Sequence, residues 1–345
     1  MKKAVALISG GLDSMLAARL IQEQGIYVEG LNFYTGFCVE NHTQAMRNPT
    51  GTRKHHSALW VAEQLGIKLH FIDIVEEYKQ IVLNPKYGYG AHLNPCLDCK
   101  IFMVGQAKHW MEKHGFDFII TGEVIGQRPK SQLKKNMPIV AKASHAEDLL
   151  ALCARYLAPT RPEQEGWIDR EKLCALSGRS RAPQMALAKR FGFSDYSQPA
   201  GGCCFLTNRH YTQKLRDLWT HRGERDYDFD DIILLKAGRH LRPAPHFKLI
   251  IGRDESENTF LERYQYQIPS LTPLSHSGSL TLIEGTFKNE ELPWIGRIAA
   301  RFTQAKVEEL VTFRVQFGSK HTSTLEVYPF STNEICKEWY IADND

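Results

Sequence analysis

The sequence predicts an α/β protein in which a doubly wound, mostly parallel sheet fills residues 1–205. A smaller α+β domain follows over 243–345, with a helical linker at 206–242 between them. Three observations predict it. The first 122 residues repeat one unit, a helix-like segment ending in glycine with a β-rich run directly after it. Strands alternating with helices of that length form right-handed βαβ units and a parallel sheet. After Cys204 the texture changes to successive β-like runs, and 345 residues is long for one domain.

The elements follow in order. Ala4-Val5-Ala6-Leu7-Ile8 is a short buried strand, and Met15-Leu16-Ala17-Ala18-Arg19-Leu20 opens a helix. Gln24-Gly25, Leu65-Gly66 and His114-Gly115 each close a helix with the glycine expected of a left-handed cap. The strands after them are Ile26–Leu31, Ile67–Ile72 and Phe116–Ile120. Ligands of such sheets bind beyond the carboxyl ends of the strands. That edge collects Ser9–Ser14, Asn32–Tyr34, Asp73 and Thr121–Glu123. Residues 145–198 are less regular, with a helix over Ala182–Gly192 preceded by the basic turn Gly178–Arg181. Residues 209–222 read as a helix, 223–231 as an acidic turn, and Arg242-Pro243-Ala244-Pro245 as a linker. Strands are expected at Phe247–Ile251, Ser279–Ile283, Val311–Val315 and Thr324–Tyr328.

Between the first strand and its helix stands Ser9-Gly10-Gly11-Leu12-Asp13-Ser14. Such a turn aims backbone N–H groups and the positive end of a helix dipole at one spot. Gly10 and Gly11 let the main chain approach an anion closely. Ser9 and Ser14 offer hydroxyl donors, and Asp13 is placed to engage Mg2+ or the nucleotide. The pyrophosphate of ATP fits this chemistry. The hexapeptide is neither a Walker loop nor a Gly-x-Gly-x-x-Gly turn, and the plain alternative is an ordinary strand-to-helix glycine turn.

Composition is that of an ordinary globular protein, and no apolar run reaches eighteen residues, so no membrane span is expected. With no signal peptide read at Met1-Lys2-Lys3, a cytoplasmic protein is expected. The net charge of +4 is small, but Arg128–Lys142 and Lys236–Arg253 each hold five Lys/Arg and no acid, and 41–62 is likewise acid-free. These stretches suit a polyanion such as RNA. Solvated loops around a nucleotide pocket would look the same.

Eight cysteines scattered through such a chain do not read as a disulfide framework. Cys38, Cys153, Cys174 and Cys336 read as small apolar residues. Cys96-Leu97-Asp98-Cys99 follows Pro95 just before a helix-like segment over Ile101–Lys113, and a Cys-x-x-Cys at a helix N-terminus has a thiolate favoured by the dipole. With Cys203 of Gly201-Gly202-Cys203-Cys204, these make a three-cysteine set. It could hold zinc with a fourth ligand, hold a [4Fe–4S] cluster with one open iron, or run a persulfide relay. Unrelated buried thiols are the remaining possibility. In Thr121–Gln132, after the fourth strand, Gly122 and Gly126 would let the backbone line a nucleotide and Arg128 and Lys130 would offer charge to phosphate; the plain alternative is a basic surface loop.

Ser9–Ser14, Asn94–Lys100, Thr121–Pro129, Ser177–Arg181 and Pro199–Cys203 together resemble the PP-loop tRNA thiouridine synthase-like proteins. The resemblance covers roughly residues 1–205. It implies a HUP-type adenine nucleotide α-hydrolase fold, and an ATP-dependent tRNA uridine sulfurtransferase that adenylates a uridine carbonyl and replaces its oxygen with sulfur. It implies ATP and Mg2+ at Ser9, Gly10, Gly11, Asp13 and Ser14, with adenine near Asn32 and Phe33 and with Thr121, Gly122 and Arg128 lining the nucleotide. Asp13, Cys96, Cys99 and Cys203 would be catalytic, the three cysteines also serving as metal ligands. The Cys-x-x-Cys departs from the catalytic pair of the persulfide-using 2-thiouridine enzymes and is similar to that of cluster-dependent tRNA thiolases. Phe247–Asn258 is similar to the opening of an NFACT-type RNA-binding domain. The implied partners are tRNA and a sulfur donor, either sulfide or a cysteine desulfurase relay. The alternative is a PP-loop ligase or sulfur-inserting enzyme that adenylates a small molecule.

Overall fold

The structure is a computed structural model and describes residues 1–39, 57–196, 204–318 and 321–342. The chain divides into two compact units, with the boundary between Thr207 and Asn208.

The first unit runs β1 (Lys3–Leu7), α1 (Leu12–Gln22), β2 (Tyr27–Tyr34), α2 (Ser57–Leu65), β3 (Leu69–Asp73) and α3 (Val75–Leu83). It continues through α4 (Cys96–His114), β4 (Phe118–Thr121), α5 (Met137–Ala143), β5 (Leu149–Ala151), α6 (Arg161–Gln164) and α7 (Ala182–Arg190). Its five strands lie in the order β3-β2-β1-β4-β5, and all the pairings are parallel. Side chains alternate across a strand, so β1 serves two cores. Ala4 and Ala6 pack with α1, α2 and α7, whereas Val5 packs with Val104, Ala107 and Met111 of α4 and Val140 of α5. Helices therefore cover both faces, as the expected doubly wound fold requires. Gly25, Gly66 and Gly115 all take positive φ, the cap geometry read from the sequence. β5 went unforeseen because three residues carry no legible period.

Strand order reverses between β1 and β4. At such a switch point the two following segments leave in opposite directions and open a crevice at the carboxyl edge. The turn after β1 and the loop after β4 border it.

The second unit contains α8 (Arg209–Arg222), α9 (Phe229–Leu234), β6 (Arg239–Ala244), β7 (Phe247–Ile251), α10 (Glu255–Leu261), β8 (Ser270–Pro273), β9 (Thr281–Gly285), α11 (Leu292–Ala300), β10 (Val311–Phe317) and β11 (His321–Val327). Its antiparallel sheet has the order β11-β10-β8-β9-β7-β6. Leu249 and Ile251 pack on Ile295 and Ile298 of α11, while Ile250 faces Phe260 and Leu261 of α10. Arg242–Ala244, expected as linker, is instead the end of β6. A register shift between Leu241 and Ala244 accommodates the prolines at the sheet edge. Residues 209–222 are helical as expected, but they pack within this unit. Arg242 clamps Asp217 at 2.7 and 2.6 Å, and Lys214 Nζ donates to Gly238 O at 2.9 Å.

The acid-free stretch Lys236–Arg253 does not form a bare cationic strip, because acids outside the stretch pair with it. Lys248 pairs with Glu284 at 3.1 Å, His246 with Glu291 at 2.9 Å and Arg253 with Glu257 at 3.3 Å. Lys236 is buried. The Gly252…Asn258 signature has a structural role of its own. Asn258 Nδ2 donates to Gly278 O and its Oδ1 accepts from Leu280 N–H at 3.0 Å, with that oxygen so close over Gly252 that a Cβ there would collide with it.

No helix among the described residues is long and apolar enough to cross a membrane.

Candidate nucleotide and thiol site

The turn after β1 is built around Gly10, whose φ of +82° calls for glycine. Gly11 differs: a Cβ there would meet nothing nearer than Ser9 Oγ at 3.5 Å. Its bareness leaves the approach to the turn open without being needed for folding. Gly11 caps α1 without a side-chain hydrogen bond, so N–H groups of the first turn have no partner within the helix. Ser14 Oγ donates to Gly11 O at 2.8 Å and lies 3.5 Å from Ser9 Oγ. That bond braces the turn.

Asp13 lies deep in this turn. Burial pushes its carboxyl above the usual carboxylate range, against the lowering effects of the Gln127 hydrogen bond, the Arg181 and Arg128 charges and Gln184. Gln127 Nε2 donates to Asp13 Oδ2 at 2.9 Å, while Oδ1 is buried without a partner.

The loop after β4 closes over the same turn. A Cβ on Gly122 would lie 2.5 Å from Asp13 C and 2.7 Å from Asp13 O, and against Ser14 N, so the two backbones touch. Thr121 is buried and lies 3.4 Å from Glu123, whose other oxygen pairs with Lys100 of α4 at 3.2 Å. Arg128 exerts its charge on Asp13. Lys130, expected at phosphate, reaches back to the carbonyls of Tyr87, Gly88 and Tyr89 and clamps that turn. Asn32 Nδ2 donates to Ile8 O at 2.7 Å, fastening β2 to the end of β1. Phe33 beside it is half-buried.

Cys96 is the first residue of α4, and Cys99 sits in its first turn. The helix thus begins earlier than the sequence suggested. Cys96 Sγ donates to Ser131 Oγ at 3.1 Å, joining the Cys-x-x-Cys to the β4 loop. Leu93 N–H donates to Leu206 O at 3.3 Å, so the second cysteine segment runs beside the first. Cys203 lies outside the described residues. Among the described residues no group of three or more His, Cys, Asp or Glu side chains is placed to hold a metal ion.

Two placements were not foreseen from the sequence. Gly178 N–H donates to Ile125 O at 2.7 Å and Ser177 bridges Ile125, which draws Arg181 and Gln184 onto Asp13. The basic turn before a Pro-started helix was the only available signal. Second, Cys38 and Cys204 oppose each other in an antiparallel bridge flanked by the 2.9 Å bond from Phe205 N–H to Phe37 O. That flanking bond makes them a non-hydrogen-bonded pair, whose Cα atoms approach to about 4.5 Å, within disulfide range. Treatment with oxidised glutathione is expected to join Cys38 to Cys204, checked by mass mapping of unreduced peptides. Recovery of both as separately alkylated thiols would contradict this pairing.

Fold and site together define a PP-loop, HUP-like domain followed by an α+β domain. Residues 2–146 match the family described as tRNA methyl transferase HUP domain, and residues 238–340 match NFACT protein RNA binding domain. The chain is similar to the tRNA-specific 2-thiouridylase MnmA of Sulfurimonas denitrificans, 34% identical over 129 residues, covering 36% of this chain and 35% of that protein. It is 27% identical over 234 residues to the enzyme of the same name from Mesoplasma florum, covering 63% and 59%. A 4-thiouridine synthetase–RNA complex with bound ATP superposes at a TM-score of 0.34 with 18% identity, over 57% of this chain and 54% of that one. That likeness is too loose to place any residue. The chain spans about a third to three fifths of the length of these two curated relatives. The N-terminal domain is tRNA thiouridine-synthase-like and the C-terminal domain is NFACT-R-like.

Proposed function

We propose that this protein is an ATP-dependent tRNA uridine sulfurtransferase. The observation that carries the reading is one chain of contacts along the switch-point crevice. Asp13 meets Gly122, Glu123 pairs with Lys100, Cys96 bonds Ser131, and Leu93 bonds Leu206. These contacts link the polyphosphate-type turn to the Cys96–Cys99 segment and, through Leu93, to Leu206 just beyond Cys204.

The turn Ser9–Ser14 would hold the pyrophosphate half of ATP, and the Asp13 carboxylate would engage the accompanying Mg2+. Adenine lies near Asn32 and Phe33, with Thr121, Gly122 and Arg128 along the nucleotide. A uridine carbonyl oxygen attacks the α-phosphate and pyrophosphate leaves, which converts an inert oxygen into an AMP leaving group. Hydrosulfide, supplied as sulfide and held at the cysteine segments, then attacks the activated base carbon; the carbon–oxygen bond breaks, AMP departs and the hydrosulfide proton is released, with no change in the oxidation state of sulfur. Cys96, Cys99 and Cys203 are the proposed thiols. The base must leave its stack to enter. The match of residues 238–340 supports a C-terminal domain that grips the RNA backbone, and it favours RNA over a small-molecule acceptor.

Intact protein incubated with Mg2+–ATP, sulfide and bulk tRNA is expected to release AMP and pyrophosphate in step with thiolated nucleoside, read by mass spectrometry of digested tRNA. ATP turnover without thiolated RNA would refute the proposal.

A further inference from the structure

The antiparallel sheet of the second unit ends in two edge strands that are finished differently. An edge carries a row of free N–H and C=O groups, which proteins ordinarily blunt with proline, lysine, a bulge or a covering segment. The β6 edge is treated in this way. Pro243 lies in the strand and its register shifts between Leu241 and Ala244. The C-terminal segment covers it through the Leu241–Tyr340 bridge and the 3.0 Å bond from Ile341 N–H to His240 O. β11 has none of these devices. His321-Thr322-Ser323-Thr324-Leu325-Glu326-Val327 pairs with β10 without a register break, and five of its residues are exposed.

The hydrogen bonds of β10 determine which groups of β11 are free. The N–H and C=O of one residue point to the same side of a strand, and the side alternates along it. Thr312 turns both to the β8 side: its N–H donates to Ser275 Oγ at 2.9 Å and its O accepts from Leu274 N–H at 2.8 Å. Pro273, which has no N–H, stands opposite Phe313 and fits the same alternation. Val311, Phe313, Val315 and Phe317 therefore bond to β11, at Val327, Leu325, Ser323 and His321. Thr322, Thr324 and Glu326 are left with N–H and C=O turned outward, and among the described residues no hydrogen bond meets them.

We propose that β11 pairs with β11 of a second copy of this chain, antiparallel about a two-fold axis at Thr324. Three observations choose this occupant. The outward groups are symmetric about Thr324, so Thr324 meets the partner's Thr324, Thr322 meets the partner's Glu326, and every outward N–H and C=O gains a bond. A two-fold interface requires that self-complementarity. The side chains agree with this register, since threonines meet at the axis and no like charges stand opposite each other. They are small and hydroxylic over Thr322–Thr324, unlike the apolar pockets that select a foreign strand. The strand also holds no Lys or Arg and one Glu, so an RNA phosphate finds no cation on it. Seven residues a side fall short of the roughly 20–30 of a standard interface, and the dimer is accordingly weak, forming at micromolar concentration. It is independent of the thiolation chemistry proposed above.

Sedimentation velocity of the native full-length protein up to about 100 μM, without nucleotide or RNA, is expected to show a monomer–dimer equilibrium. Thr324→Pro removes an outward N–H and leaves the bonds to β10 in place. It should weaken the dimer about thirtyfold, through two hydrogen bonds lost across the axis. Thr322 is exposed, and two charged variants there test the register itself. Thr322→Glu sets a second carboxylate against the partner's Glu326, whereas Thr322→Lys sets an opposite charge against it. The first should weaken the dimer about tenfold and the second tighten it by about as much, since the axis repeats the pair at both ends. A native protein that stays monomeric, a dimer indifferent to Thr324→Pro, or Thr322 variants that do not shift in opposite directions would overturn the proposal. Should Thr324→Pro not fold, the two Thr322 variants decide the matter.

Discussion

Replacing Gly122 with alanine is expected to be the most damaging single-methyl change in the N-terminal unit. The added Cβ would sit 2.5 Å from Asp13 C and 2.7 Å from Asp13 O. Both are backbone atoms at the start of α1, so no flexible side chain can swing aside. Relief requires the β4 loop or the β1 turn to move, and the turn is braced by the bond from Ser14 to Gly11 O. Overpacking of this kind costs about 3 kcal/mol at the upper end of its usual range, or about 6–12 °C in the melting temperature of a unit this size. Displacing Asp13 and Ser14 should also weaken ATP at least about tenfold, since a phosphate site depends on aligned backbone donors. Gly105→Ala is the matched control. It lies within α4 with nothing within 4 Å of its added Cβ, and it should stabilise by about 0.5–1 kcal/mol through helix propensity. Calorimetry and ATP titration of the two variants check both statements. Equal behaviour of the pair would show that the two backbones do not press on each other.

Asp13→Asn is expected to separate stability from function. Burial is the dominant influence on the Asp13 carboxyl and raises its pKa despite Gln127, Arg181 and Arg128. A carboxyl with a raised folded-state pKa stabilises the fold fully below its unfolded value, and that contribution is lost as pH rises through the folded value. Asparagine never ionises and still accepts from Gln127. The ligand-free variant should therefore match the native protein in acid and melt increasingly above it as pH climbs through the raised pKa. ATP turnover should fall by about two to three orders of magnitude, the usual scale for deleting a preorganised charge at a reacting phosphate. Melting curves across a pH series, with pyrophosphate release measured in parallel, give both signs. A variant that melts below the native protein at neutral pH would show that the neighbouring arginines outweigh burial.

The parts of the site that were legible in the chain are those whose chemistry is local. A strand, two glycines and a helix start are contiguous, so the turn and the place of Asp13 could be read directly, and the glycine caps dated each helix end. What escaped was decided by residues distant in sequence. Lys130 reads as a phosphate ligand but is taken by three carbonyls at 87–89. Lys236–Arg253 reads as a basic strip, yet Glu284, Glu291 and Asp217 arrive from elsewhere in the unit to neutralise it. Arg242–Ala244 reads as a proline linker because a sheet edge tolerates proline as readily as a linker does. Cys203 lies outside the described residues, and the neighbouring Cys204 instead faces Cys38.

By itself the sequence determined the parallel α/β architecture of the first domain, the phosphate-type turn and the thiol at the head of α4. Each depends only on hydrophobic period, glycine placement and a helix dipole, which a few consecutive residues supply. Only the tertiary structure decided which charges survive as free charge and which polar groups are left without partners. Burial and pairing belong to no single segment, and they arise only when the loop after β4 and the cap of α7 close on Asp13.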